Sequence, residues 1–237
     1  KPTVAIFSTG NELVPPGVKL DAGKIFDSNS YGIASAVQQS GGIPRLLGIA
    51  KDNESEITSK LKIAIESDLV ITSAGVSKGD YDIVKDVIAK HGSLELWSVR
   101  MRPAKPIAFG LLDHPGGDHV PHLGLPGNPV SALVGFEQLG RPIINKMLGK
   151  DNYERPVVDA ILEDRIINTD GRRVYARVIV EKRDGVYYAK LAGQQGSNIL
   201  TSMSRSNGLA ICPENLPEKR VGEIIEVQMT DWADTIA

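Results

Sequence analysis

The sequence has little with which to cross-link itself, enter a membrane or grip nucleic acid. One cysteine, Cys212, stands among 237 residues, so no disulfide can form within the chain. It precedes Pro213 with no histidine near it in sequence, a setting for core packing rather than nucleophilic catalysis. No apolar run is long enough to span a bilayer and no signal peptide is recognisable, so the expectation is a cytoplasmic protein without a membrane partner. Lysine and arginine total 27 against 29 acidic residues. The balance is 16 to 15 up to residue 150 and 11 to 14 beyond it, which leaves neither half a basic platform for nucleic acid. Aromatic residues make up only 5%. Also missing are a G-x-S-x-G elbow, a complete Walker sequence and a G-x-G-x-x-G fingerprint, so hydrolase, nucleoside-triphosphatase and dinucleotide-dehydrogenase readings lose their usual support.

What is present is a change of pattern near residue 150. Before it, short β-branched runs alternate with amphipathic stretches of helical length, the mark of an α/β fold with a mostly parallel sheet. Val4 to Phe7, Arg45 to Ile49, Leu69 to Thr72, Leu94 to Met101 and Ile107 to Leu111 read as strands. Ser30 to Gln39 and Glu54 to Ser67 read as helices, and Ile83, Val84, Val87 and Ile88 form a further helical stripe. Asn128 caps a helix that starts with Pro129, and Pro142 is expected to kink that helix or begin another. Beyond Gly149, Val157 to Leu162, Val174 to Val180, Val186 to Leu191, Gly208 to Ile211 and Ile224 to Met229 are strand candidates between polar turns. The reading is therefore a three-layer, open, mostly parallel α/β domain over 1–150 and a small all-β, barrel-like domain over 151–237. Lys1 leads within two residues into the apolar run Val4 to Phe7, an abrupt start from which further upstream domains are expected.

Three strand ends run into glycine-containing turns: Ser8-Thr9-Gly10, Ser73-Ala74-Gly75-Val76-Ser77 and Pro126-Gly127-Asn128-Pro129. If the strands are parallel, all three turns lie on the carboxyl edge of the sheet, where open α/β folds bind ligands and helix N-termini receive oxyanions. Each turn alone is ordinary chain geometry; three together point to a phosphate or another oxyanion. Asp27 is adequately explained as a helix cap. Asp80 and Asp82 follow a glycine-rich turn, where hard oxygen ligands suit Mg²⁺ on phosphate oxygens and a pair of solvated carboxylates is the plain alternative. Arg102 and Lys105 bracket Pro103, expected to hold the chain extended, and could hold a second anion or form a solvated loop. His114, His119 and His122 lack metal-ligand spacing and read as a surface hairpin.

As a set these segments resemble the molybdopterin molybdotransferase family, MoeA and the gephyrin E-domain included. The resemblance rests on Ser8 to Leu13, Ile25 to Asn29, Asp68 to Asp82, Arg102 to Pro106, Gly124 to Ser131 and, in the second domain, Leu200 to Leu209. It implies a molybdopterin-binding fold and metal-dependent insertion of molybdate into adenylylated molybdopterin, giving molybdenum cofactor and AMP, with Mg²⁺ as cofactor and a homodimer as the working form. Carried over residue by residue, it implies catalytic roles for Asp27, Asp80, Asp82, Arg102 and Lys105, with Asp80 and Asp82 holding the metal. Thr9, Gly10, Ser73, Gly75, Ser77, Gly127, Asn128 and Ser131 would line the pterin phosphate pocket, with Arg205 and Ser206 at its rim. The sequence departs from the family pattern at Ala74, where glycine is usual, at Lys78, where a small aliphatic residue is usual, and at Asn11 and Arg102, where aspartate and lysine are common. Two other readings stand beside it. One is an ADP-ribose-type pyrophosphatase of the same fold, a branch expected to lack the β domain; the other is a non-catalytic, gephyrin-like binding module.

Overall fold

The computed structural model describes residues 1–74 and 83–231. Contacts divide the chain into two units, Lys1–Val99 with Pro106–Tyr153, and Arg100–Lys105 with the chain from Glu154 onward.

The first unit starts with β1 (Thr3–Thr9), in which Val4, Ala5, Ile6 and Phe7 are all fully buried. Apolar side chains in both directions are what a strand needs when its sheet is covered on both faces. A short parallel pair follows, β2 (Leu13–Val14) and β3 (Ile25–Phe26). The chain continues through α1 (Asn29–Gln39), β4 (Ile43–Ala50), α2 (Glu54–Ala64), β5 (Leu69–Ser73), α3 (Ile83–Lys90) and β6 (Gly92–Ser98). The two-residue strand β7 (Met101–Arg102) belongs to the second unit. β8 (Pro106–Asp113) and β9 (His119–Leu125) return to the first, which ends in α4 (Pro129–Gly135), a π-helical turn (Phe136–Gly140) and α5 (Arg141–Met147).

The sheet order is β4-β1-β5-β9-β8-β6. β4, β1, β5 and β9 pair in parallel, while β8 is antiparallel to both its neighbours. On one face Ala5, Phe7 and Val70 pack with Ile57 and Leu61 of α2 and Val84 and Val87 of α3. The other face is covered by α1, which packs on β1, β4 and α4. This is the expected three-layer α/β arrangement. Pro142 falls in the first turn of α5, which follows the π-helical turn directly, as the expectation of a new helix there had it. The Arg141 amide bonds to the Phe136 carbonyl five residues back, and this wider turn absorbs the proline, which has no N–H of its own to place.

The second unit contains β10 (Val157–Leu162), β11 (Ile166–Ile167), β12 (Arg173–Arg183), β13 (Val186–Leu191), α6 (Leu200–Arg205), β14 (Gly208–Cys212), β15 (Glu218–Lys219) and β16 (Ile224–Met229). Strands β13-β10-β16-β14-β12 lie in that order, and pairing of β12 with β13 closes them into a five-stranded barrel. Alternate residues Val174, Ala176, Val178 and Val180 of β12 fill it with Leu162, Ala189, Ala210 and Val227. Cys212 is fully buried in the same core, and burial pushes its thiol pKa up, away from a reactive thiolate. β7 adds to β12 in parallel, Met101 opposite Arg173 and Arg102 opposite Val174. The Arg173 amide donates to the Arg100 carbonyl at 2.9 Å, and Arg100 Nη2 donates to the Gly171 carbonyl at 3.0 Å.

Candidate functional site

Because β1, β5 and β9 are parallel neighbours, their carboxyl ends lie side by side, with Ser8 opposite Ser73 and Ser73 opposite Leu125. The three turns read from the sequence therefore share one edge. They are stitched together by side chains from the start of α1. Asn29, 9% exposed, donates through Nδ2 to Ser73 Oγ and to the Gly127 carbonyl, each at 2.7 Å. Ser73 is fully buried, and its hydroxyl faces the Pro126 carbonyl at 3.4 Å. The Ser8 hydroxyl donates to Asp27 Oδ1 at 2.9 Å and lies 2.9 Å from Ser30 Oγ, and the Ser30 amide donates to the same Oδ1 at 3.1 Å. Asp27 thus caps α1, as its sequence position predicts. Its Oδ2 has no hydrogen-bond partner among the described residues, although the residue is only 3% exposed.

Not every turn amide is available to an anion. The Gly10 amide donates to the Ala50 carbonyl at 3.2 Å and the Ala74 amide to the Leu125 carbonyl at 3.0 Å. What Gly10 offers is its backbone at φ +154° and the space where a Cβ would meet the Glu12 carboxyl at 2.7 Å. Thr9 is buried beside it. The first turn of α4 is a further source of donors, since the N–H groups there have no intrahelical acceptor. Pro129 has none to give, which leaves Val130 and Ser131, the latter 6% exposed. Asn128 sits at the N-cap without a side-chain capping bond. A Cβ at Gly127 would stand 3.4 Å from that of Ala74, so the two turns nearly touch. Ala74 itself holds φ +77°. Gly75, Ser77, Lys78, Asp80 and Asp82 lie outside the described residues.

Beside the first turn opens a cavity of about 300 Å³, lined by Pro15, Asp27, Ser30, Tyr31, Leu46, Gly48 and Ile49. On β9, His122 departs from the surface hairpin expected for it. His119 does lie exposed, its Nδ1 3.2 Å from Asp113 Oδ1. His122 instead is fully buried on β9, with Nε2 3.0 Å from Thr72 Oγ1, and burial pushes its pKa down to about 4. Nδ1 has no partner among the described residues, which fits a neutral ring that carries its proton on Nε2 and donates it to Thr72.

Arg102 and Lys105 belong to the second unit. The segment does not run extended: the Arg102–Pro103 peptide bond is cis and Ala104 has φ +70°. There the structure adds a cation that sequence reading missed. Arg177 of β12 is 2% exposed; Nε donates to Ser202 Oγ at 3.1 Å, and Nη2 to the Gln194 and Gly196 carbonyls at 3.2 and 3.1 Å. Every acceptor is neutral. Burial, and then the charge of Arg102, push its pKa down to about 10. A buried guanidinium held without a carboxylate beside a second arginine is a place where an oxyanion is favoured. The alternation in β12 turns Arg177 away from the barrel core, so in sequence it reads as a solvated residue; the loop leading into α6 buries it. Ser206, expected at the rim, bonds back to the Met203 carbonyl at 2.8 Å.

Residues 5–146 match a family model described as a probable molybdopterin binding domain, and residues 159–229 match one described as the MoeA C-terminal region, domain IV. The chain belongs to the MoeA family. It is 39% identical over 217 residues to a molybdopterin molybdenumtransferase of Nostoc sp. strain PCC 7120, covering 90% of this chain and 49% of that protein. To the enzyme of the same name from Haemophilus influenzae it is 35% identical over 236 residues, covering 95% and 55%. The crystal structure of the molybdopterin biosynthesis MoeA protein from Pyrococcus horikoshii superposes with a TM-score of 0.81 at 30% identity, over 98% of this chain and 55% of that one. This member of the MoeA family thus spans about half the length of the curated relatives it matches.

Proposed function

We propose that the chain carries the molybdopterin-binding and oxyanion-binding part of a molybdopterin molybdotransferase. The substrates are adenylylated molybdopterin and molybdate, and the products molybdenum cofactor and AMP. What supports this most is the coincidence of the three adjacent turns on one sheet edge with a chain that matches molybdenumtransferases in both its units. In this reading the first turn of α4 and the open surface at Gly10 and Gly127 receive phosphate oxygens. Asn29 and Asp27 hold the turns in register. In the second unit, Arg102, Lys105 and Arg177 supply the positive charge for the dianionic oxyanion. Asp80 and Asp82 remain the residues that the resemblance implies for Mg²⁺, an ion that would neutralise phosphoanhydride oxygens. Among the described residues no group of three or more histidine, cysteine or acidic side chains could hold a metal. A cytoplasmic homodimer is the setting proposed for the whole enzyme; no described helix is long and apolar enough to cross a membrane.

The test is a calorimetric titration of the folded chain with molybdopterin and its adenylylated form in the presence of Mg²⁺. Saturable binding of the adenylylated form is expected. Absence of binding to either would remove this chain from cofactor assembly.

A further inference from the structure

Arg177 lies where a β-ladder stops early. Strand β13 ends at Leu191, opposite Val178, and one more backbone bond follows, from the Ala192 amide to the Arg177 carbonyl at 3.0 Å. Gly193 then takes φ +119° and the chain leaves the ladder. No backbone carbonyl remains to receive the Arg177 amide, and the primary amide of Gln195 stands in its place. Oε1 accepts from the Arg177 amide at 2.9 Å, and Nε2 donates to the Arg177 and Gly193 carbonyls at 3.1 and 2.9 Å. Its orientation is fixed, since turning it over would set Nε2 against an N–H and Oε1 against two carbonyls. A side chain here supplies the donor and the acceptor that a neighbouring strand would supply.

The consequence falls on the guanidinium. With Gln195 fastened to the backbone of Arg177, the residues on either side of it are carried over the side chain, and the Gln194 and Gly196 carbonyls accept from Nη2. Gly193 and Gly196 bracket the two glutamines, so the loop has little stiffness of its own and depends on this tie. Ser202 Oγ donates to the Ile199 carbonyl at 2.7 Å, which leaves a lone pair for Arg177 Nε. Nε and Nη2 are thus committed to the protein, and Nη1 has no partner among the described residues. The fork with which arginine grips an anion through two nitrogens is closed on one side, and Nη1 is the nitrogen left to offer. We propose that Gln195 is a positioning residue of the oxyanion site: by pairing with the backbone of Arg177 it lays the loop over the guanidinium and leaves Nη1 to meet the dianion. The assignment rests on the oxyanion reading of Arg177 above and adds the residue that acts through it.

The test is a double-mutant cycle on the full chain, titrated calorimetrically with molybdate. Gln195→Met keeps the length of the side chain and removes its donor and acceptor; Arg177→Met removes the cation. Gln195 lies outside the barrel core, so its variant should fold. Gln195→Met is expected to weaken molybdate about tenfold, and to cause no further loss in the Arg177→Met background, because the two residues act as one unit. Phenylglyoxal labelling, read by mass spectrometry, follows the guanidinium directly. Arg177 should be protected in the wild type and labelled in Gln195→Met, with the exposed Arg165 labelled equally in both. Wild-type affinity in Gln195→Met would overturn the assignment, as would the same tenfold loss in the Arg177→Met background; either leaves the molybdotransferase reading standing. If Arg177→Met binds too weakly to titrate, labelling decides, and a protected Arg177 in Gln195→Met overturns the assignment. A wild-type chain that does not bind molybdate, or binds it no better than Arg177→Met, would remove the oxyanion reading of Arg177 and the role of Gln195 with it.

Discussion

Ala74 carries a backbone conformation that an L-residue adopts at a cost of roughly 1–2 kcal/mol, at the position where the sequence departs from the family's usual glycine. The departure therefore has a measurable consequence. Ala74→Gly relieves the left-handed strain but gives up roughly 0.5–1 kcal/mol through the freer unfolded chain. A net gain below about 1 kcal/mol is expected, read from the urea midpoint. Asn29 makes the opposite case. Its amide stitches two turns, so Asn29→Ala should lower stability by roughly 1–3 kcal/mol, and Asn29→Asp by more, since a carboxylate would face the Gly127 carbonyl. Unchanged urea midpoints would show that the turns hold themselves. Of the residues at this edge, Asp27 was legible in the sequence because capping is local chemistry. The Asn29 bridge was not, because its partners lie 44 and 98 residues away. Arg177 escaped for a related reason: what buries it comes from another element.

At the scale of the element, periodicity carried far. The five barrel strands were readable from alternation and their flanking turns, and the central strands β1 and β5 of the first unit from short apolar runs that are buried on both sides. Helix α6, Leu-Thr-Ser-Met-Ser-Arg, went unread because six residues with one buried position, Ser202, show no stripe. The π-helical turn was invisible because its cause is a packing demand as much as Pro142. Gly140 lies so close to Phe136 that a Cβ would stand 2.6 Å from Cδ2 of a ring only 1% exposed. Gly140→Ala is accordingly expected to destabilise the protein by roughly 1–3 kcal/mol, the cost of overpacking, although alanine is the better helix former. A urea midpoint at or above that of the wild type would mean that the ring has room to move.

For the molecule as a whole, acid is the condition most informative about the buried histidine. The folded pKa of His122, about 4, lies below the 6.5 of the unfolded chain, so on acidification the unfolded state takes up the proton first. This group leaves stability untouched above about pH 6.5. It withdraws stability as pH falls from there through 4, by about 3 kcal/mol in total. His122→Gln should flatten that part of the profile, and the difference between variant and wild-type unfolding free energies at pH 7 and pH 4.5 isolates it from the carboxylates. An unaltered profile would mean that water reaches Nδ1.

The strand Met101–Arg102, paired with β12 while its flanking segments lie in the first unit, bears on how the chain can be handled as genetic material. The barrel unit is not encoded by one uninterrupted stretch. A gene cut after codon 153 would separate β12 from its added strand and leave Arg177 without the neighbouring charge of Arg102. The two units are therefore not beads on a string, free to be exchanged by recombination at a single joint. A change in one coding segment has to remain compatible with the other.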